Sequence, residues 1–171
     1  MNPMRVFILL SVVMCVPALA EPAPYTVNTK TGLTRAAERN LYDAVRGMVA
    51  PVARWMGLNE AEEECANATA AEALIKATVE ALKGEMFGLT GADKALSHFR
   101  KSQDDWCNKA GGMRGAKEMA PHLERAKSFM RPFLSERLQE LKEAQSRPLT
   151  PAEVAAVIAA ALVALPVLAP L

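Results

Sequence analysis

Two cysteines, two histidines and one run of glutamates are the residues here whose types could do chemistry. Three cysteines occur, Cys15, Cys65 and Cys107. Cys15 sits in an apolar leader, so Cys65 and Cys107 remain as an even pair, and in an oxidising compartment the default for such a pair is one disulfide. Two buried free thiols are the plainer alternative. Closing that loop would stabilise the fold by roughly 4 kcal/mol on the chain-entropy view. His98 and His122 lack the H-E-x-x-H spacing of a zinc site. His98 with Asp104 and Asp105 has no spacing that makes a catalytic triad. No G-x-S-x-G and no phosphate-cradling glycine loop is present, and the disulfide leaves no cysteine as nucleophile. Glu60, Glu62, Glu63 and Glu64 could attract a hard cation, but they lack the Asp/Asn-Gly loop of a calcium site and adjacent helical residues do not converge. A solvated helix start fits them better. The residues therefore point away from an enzyme and imply no cofactor and no metal. Asn67-Ala68-Thr69 is an N-glycosylation sequon.

The chain ends explain why an oxidising compartment is expected. Arg5, the apolar stretch from Val6 to Val16 and Ala18-Leu19-Ala20 make a secretory signal peptide over residues 1–20, with maturation at Glu21. At the other end, Ala144-Gln-Ser-Arg-Pro-Leu-Thr-Pro-Ala-Glu153 is polar, and Val154 to Leu171 is apolar without a charge. The apolar run is shorter than the about 20 residues of a spanning helix and contains Pro166 and Pro170. Small residues, a polar spacer and an apolar tail form the signal for a glycosylphosphatidylinositol (GPI) anchor, with Ala144 or Ser146 as the attachment residue and 147–171 as the signal. A helix left in the membrane and a buried C-terminal helix are the other readings of the same residues. Between the ends, residues 21–146 hold 18 basic and 18 acidic residues. That balance argues against nucleic-acid binding, which needs a basic excess.

The elements that would position these groups are helices. Residues 21–33 read as an extended arm and 34–146 as one helical ectodomain. Thr34 is a cap for a first helix striped by Leu41, Val45, Met48, Val52 and Trp55, kinked or interrupted at Pro51 and ended by Gly57. Asn59 with Glu62 opens a second helix in a variant of the capping box, with Cys65, Ala68, Ala71, Ile75 and Leu82 on its inner face and Gly88 at its end. Thr90 to Asp93 opens a third, ended by Gly111-Gly112. Met119, Leu123, Ala126, Met130 and Phe133 form a heptad seam in a fourth. Pro121 marks its first turn after an irregular lead-in, and the stripe shifts to Leu134, Leu138 and Leu141 after Pro132. No alternating strand pattern appears. The expected class is all-α, an antiparallel up-down bundle of three to four helices with one disulfide.

Charge and geometry add two expectations. Residues 58–85 carry seven acids against two bases, and 109–142 carry eight bases against four acids. The second and fourth helices thus have complementary surfaces, although a square bundle would set them diagonally. A second–third hairpin turning at Gly88 would bring Cys65 and Cys107 to one end, offset by about one to one and a half turns, which a kink or slide must absorb for the disulfide to form. With the anchor after the fourth helix, residues 55–60 and 106–115 share the membrane-distal tip, with the disulfide and Asn67 nearby. Trp55 and Trp106 are candidate binding residues there, since tryptophan is favoured at binding surfaces; a tryptophan at helical spacing also serves as core.

The layout of leader, alanine-rich helical ectodomain with one cysteine pair and a sequon, and anchor tail resembles the stage-specific surface coat proteins of trypanosomatid parasites. The alanine-rich epimastigote and procyclic coat families share it, and variant surface glycoproteins do so more distantly. The likeness covers the architecture from Met1 to Leu171 and no family motif. It implies a coat, adhesin or receptor on the outer cell face, held by a GPI anchor, with a protein or host-surface ligand at its tip. A different class of function is a carrier or receptor for a small apolar ligand held between the helices near Met48, Phe99, Met119 or Met130.

Overall fold

The computed structural model describes residues 28–82 and 92–168. Among them are five helices and no strand: α1 (Arg35–Met56), α2 (Glu60–Ala81), α3 (Ala92–Lys109), α4 (Arg114–Gln145) and α5 (Pro151–Leu168). The all-α class is as expected. The count of three to four helices is corrected to five, because the apolar tail finds a face to bury against and folds as α5. The leader, residues 21–27 of the arm, and the turn residues Met86, Gly88 and Thr90 lie outside the described residues.

Local chemistry sets the helix ends. Thr34 is extended (φ −66°, ψ 156°), and its hydroxyl accepts from the Ala37 N–H at 3.2 Å. Ahead of it, residues 28–33 are not an open arm. They close into a turn, with the Asn28 N–H donating to the Leu33 carbonyl and the Asn28 amide donating to the Glu38 carboxylate. Gly57 ends α1 at φ 64°, its N–H returning to the Ala53 carbonyl. A side chain is disfavoured in that left-handed conformation. Asn59 and Glu62 form a reciprocal capping box at α2, at 2.8 and 3.1 Å.

Proline breaks less than the sequence implies. α1 continues through Pro51 to Met56, and α4 runs unbroken over 32 residues with Pro121 and Pro132 inside it. Each proline removes one intrahelical bond, yet the helix continues through it, with buried residues on either side. Pro121 is therefore interior, not the first turn, and the expected irregular lead-in is helical from Arg114. The seam does drift: Met119, Leu123, Ala126 and Met130 are buried, then Leu134 replaces Phe133 at the buried position and Leu138 follows.

α2 is the centre of the molecule. It packs most extensively against α3 and α4, on different sides, while α1 covers it from a third direction. Alanine suits that role, because small side chains allow helix axes to approach. Ala66, Ala70, Ala71 and Ala77 are essentially inaccessible. The second and fourth helices are thus neighbours, not diagonal partners. Their ion pairs, Arg114–Glu62 at 3.2 Å and Arg131–Glu80 at 2.6 Å, advance together along both chains, so α2 and α4 run parallel. α5 lies against α1 and α4. Leu149, Val154, Ala161 and Leu165 join the same core cluster as Val49, Leu74 and Met130. No helix among the described residues is long and apolar enough to cross a membrane.

Candidate binding tip

The end of α1, the start of α2, the end of α3 and the start of α4 meet at one end of the bundle. Cys65 and Cys107 are bonded there, with Cα atoms 4.8 Å apart. The expected offset is absent. Steps of four and three residues from Cys65 to Thr69 to Glu72 are met by equal steps back from Cys107 to Gln103 to Arg100. The Gln103–Thr69 and Arg100–Glu72 contacts at 2.9 and 3.1 Å hold that register.

Arg114 ties the tip together. One guanidinium nitrogen donates to Glu62 at 3.2 Å and the other to the Met56 carbonyl at 2.6 Å, at the orphaned C-terminus of α1. Glu62 is thus committed twice, to Arg114 and to the cap of its own helix. The glutamate run acts as a helix start, and no group of three or more metal-ligating side chains converges among the described residues. Gly115 follows, and a Cβ on it would collide with the Glu62 carbonyl while lying 3.2 Å from the Ala66 nitrogen. Glycine lets α4 begin directly against α2.

The two candidate tryptophans part company here. Trp106 is partly buried against the disulfide and Ala116, with the Lys109 ammonium 4.7 Å from its ring centre. Trp55 is 88% exposed. Two more large apolar side chains stand out at the same end, Met113 at 46% and Met56 at 36%. Neither methionine stands out in the sequence, where methionine more often fills a core. Their positions at helix ends were the available signal. Segments 55–60 and 106–115 do come together, as the Arg114–Met56 bond shows.

Ala144 is exposed on the last turn of α4, and Ser146 is the exposed cap that follows, at φ 50°. Both lie at the end away from the tip, since α4 spans about 48 Å at 1.5 Å per residue.

Asn67 points inward. It borders a cleft of about 200 Å³ between α1, α2 and α3, and its Oδ1 is buried without a hydrogen-bond partner. The Thr69 hydroxyl of the same sequon donates to the Cys65 carbonyl and accepts from Gln103. His98 borders this cleft too, edge-on to Phe99 at 5.0 Å. Burial, then the nearby Glu38 carboxylate, raises the pKa of Tyr42 at the same place, with Arg46 opposing. His122 lies elsewhere, its Nδ1 2.9 Å from Arg125. Met48, Phe99, Met119 and Met130 are all buried in the main core, and of the four only Phe99 reaches this cleft.

No protein-family model, no curated protein and no solved structure matches this chain.

Proposed function

We propose that this chain is a GPI-anchored cell-surface module of the coat, adhesin or receptor kind, which docks a protein partner through its disulfide-locked tip. The observation that carries the reading is Trp55, almost fully exposed beside the exposed Met56 and Met113, at the end remote from Ala144 and Ser146. Tryptophan dominates interface energetics, and methionine adapts its shape to a partner. Glu60 and Glu63 stand in the first turn of α2, just after Met56 in the chain. The partner that fits is a protein with an apolar pocket and a basic rim. Ser146, outside α4 and solvent-exposed, suits anchor transfer better than Ala144. The trypanosomatid-like layout supports the same reading.

Two measurements test it. Mass spectrometry of the mature protein from its native membrane should find Glu21 at one end and a glycolipid on Ser146 or Ala144 at the other. An intact Leu171 overturns the anchor. A photo-crosslinking residue at position 55 on living cells should trap a protein adduct that the same probe at exposed position 140 does not. Equal trapping at both positions overturns the tip.

A further inference from the structure

The cleft beside Asn67 is built from one face of each of three helices. Tyr42 and Arg46 stand a turn apart on α1, Glu64 and Asn67 on α2, and His98 and Ser102 on α3. Its floor is Phe99, which is buried and meets Tyr42 edge-on with ring centres 6.0 Å apart. Beside Glu64 and Asn67, α2 offers the small side chains of Ala68 and Ala71, whose methyl groups leave space that larger side chains would fill.

Apart from Tyr42, which is hydrogen-bonded to Glu38, the polar groups that matter here are uncommitted. Among the described residues, Arg46 and Glu64 form no ion pair, and the His98 and Ser102 side chains make no hydrogen bond. Arg46 and Glu64 nevertheless act on the same Tyr42 phenol in opposite senses, which places both charges at one hollow. Asn67 Oδ1 is a buried acceptor with nothing to accept from, and folded proteins rarely leave such an atom unpaired.

From this arrangement we infer that the cleft binds a free α-amino acid as its zwitterion. The carboxylate meets the Arg46 guanidinium. The ammonium meets the Glu64 carboxylate and supplies the missing donor to Asn67 Oδ1. A small aliphatic side chain rests on Phe99 and Ala68. A singly charged ligand would leave one of the two opposed charges without a partner. A volume of about 200 Å³ holds about seven water-sized groups at ~30 Å³ each, the size of alanine or valine. The site uses neither the exposed Trp55 nor the anchor, so its failure and theirs are distinguishable.

The test is titration calorimetry of the full chain with L-alanine and L-valine, with propionate and ethylamine as single-charge controls. Saturable binding of an amino acid is expected, with either control weaker by about tenfold or more. Arg46→Ala and Glu64→Ala should each weaken binding by about tenfold. Asn67→Ala should weaken binding by about tenfold or more and raise the Tm of the ligand-free protein, because it removes an acceptor that only the ligand satisfies and improves helix propensity. Four results overturn the inference. They are no saturable heat from either amino acid up to ~50 mM, propionate binding as tightly as alanine, a lower Tm with intact binding in Asn67→Ala, and a glycan on Asn67 of the native protein filling the cleft.

Discussion

Gly115 faces the backbone carbonyl of Glu62 so closely that a β-carbon there would overlap the oxygen. The obstacle is helix backbone, which cannot swing aside as a long side chain would. Gly115→Ala should therefore push α4 off α2 and cost about 1–3 kcal/mol, the usual range for overpacking, despite alanine's better helix propensity. Urea denaturation measures it. A variant as stable as the parent would show that the two helices separate freely at the tip.

The disulfide closes a loop with a sequence separation of 42. Replacing both cysteines by alanine should remove roughly 4 kcal/mol, mostly by freeing the unfolded chain. For a chain of this size that lowers Tm by about 8–16 °C. Cys65 and Cys107 are also packed against Ala116 and Trp106, so the double variant is expected to loosen the tip before the rest. Calorimetry with unchanged Tm would mean the tip is held by Arg114 and the helix contacts alone.

Trp55 and Leu74 should behave oppositely on truncation. Leu74 is fully buried in α2, and Leu74→Ala should cost about 3–5 kcal/mol by transfer and cavity terms. Trp55→Ala should change stability by no more than about 0.5 kcal/mol. Its fluorescence should be quenched by iodide, and Trp106 much less. A large loss of stability in Trp55→Ala would return that residue to the core and remove the docking patch.

The Arg131–Glu80 pair gives a pH signature. The hydrogen bond from Arg131 holds the Glu80 carboxyl below its ordinary value of 4.5. A carboxylate with a lowered folded-state pKa adds stability above its unfolded pKa and loses it as pH falls through the folded value. The Tm difference between the protein and Glu80→Gln should thus be positive at neutral pH, vanish in strong acid, and shrink in high salt, because both partners are exposed. A difference unaffected by pH would separate it from this ion pair.

Much of the fold is legible because its signals are local. Thr34, Gly57, Asn59 and Gly111 act through their own backbone and nearest turns, so their types announce helix ends. What failed was long-range. Proline reads as a kink or interruption at 51 and as a helix start at 121, yet both lie inside continuous helices. α2 reads as one apolar stripe, although Ala66, Ala70 and Ala77 lie off that stripe and mark a helix covered on several sides. The opposed charges of the second and fourth helices were the available sign that they touch. The cleft was invisible, since Arg46, Glu64 and His98 converge only after three helices pack.

The tail poses the sharpest ambiguity. An all-apolar segment such as 154–165 looks the same whether it will be removed or buried, and the folded chain shows that α1 and α4 offer it a seat. Two fates then compete in time for the same residues. If anchor transfer is the productive route, it must act while the tail is still undocked, because a docked α5 withdraws its apolar face from the processing machinery. Helix docking within a domain is fast, so the partition would be set by how quickly the emerging tail is captured. Slowing the closure of α5, for example by Leu162→Ser, would then increase the anchored fraction only as long as the segment stays apolar enough to be captured. Under this scheme the docking of α5 acts as a clock for maturation.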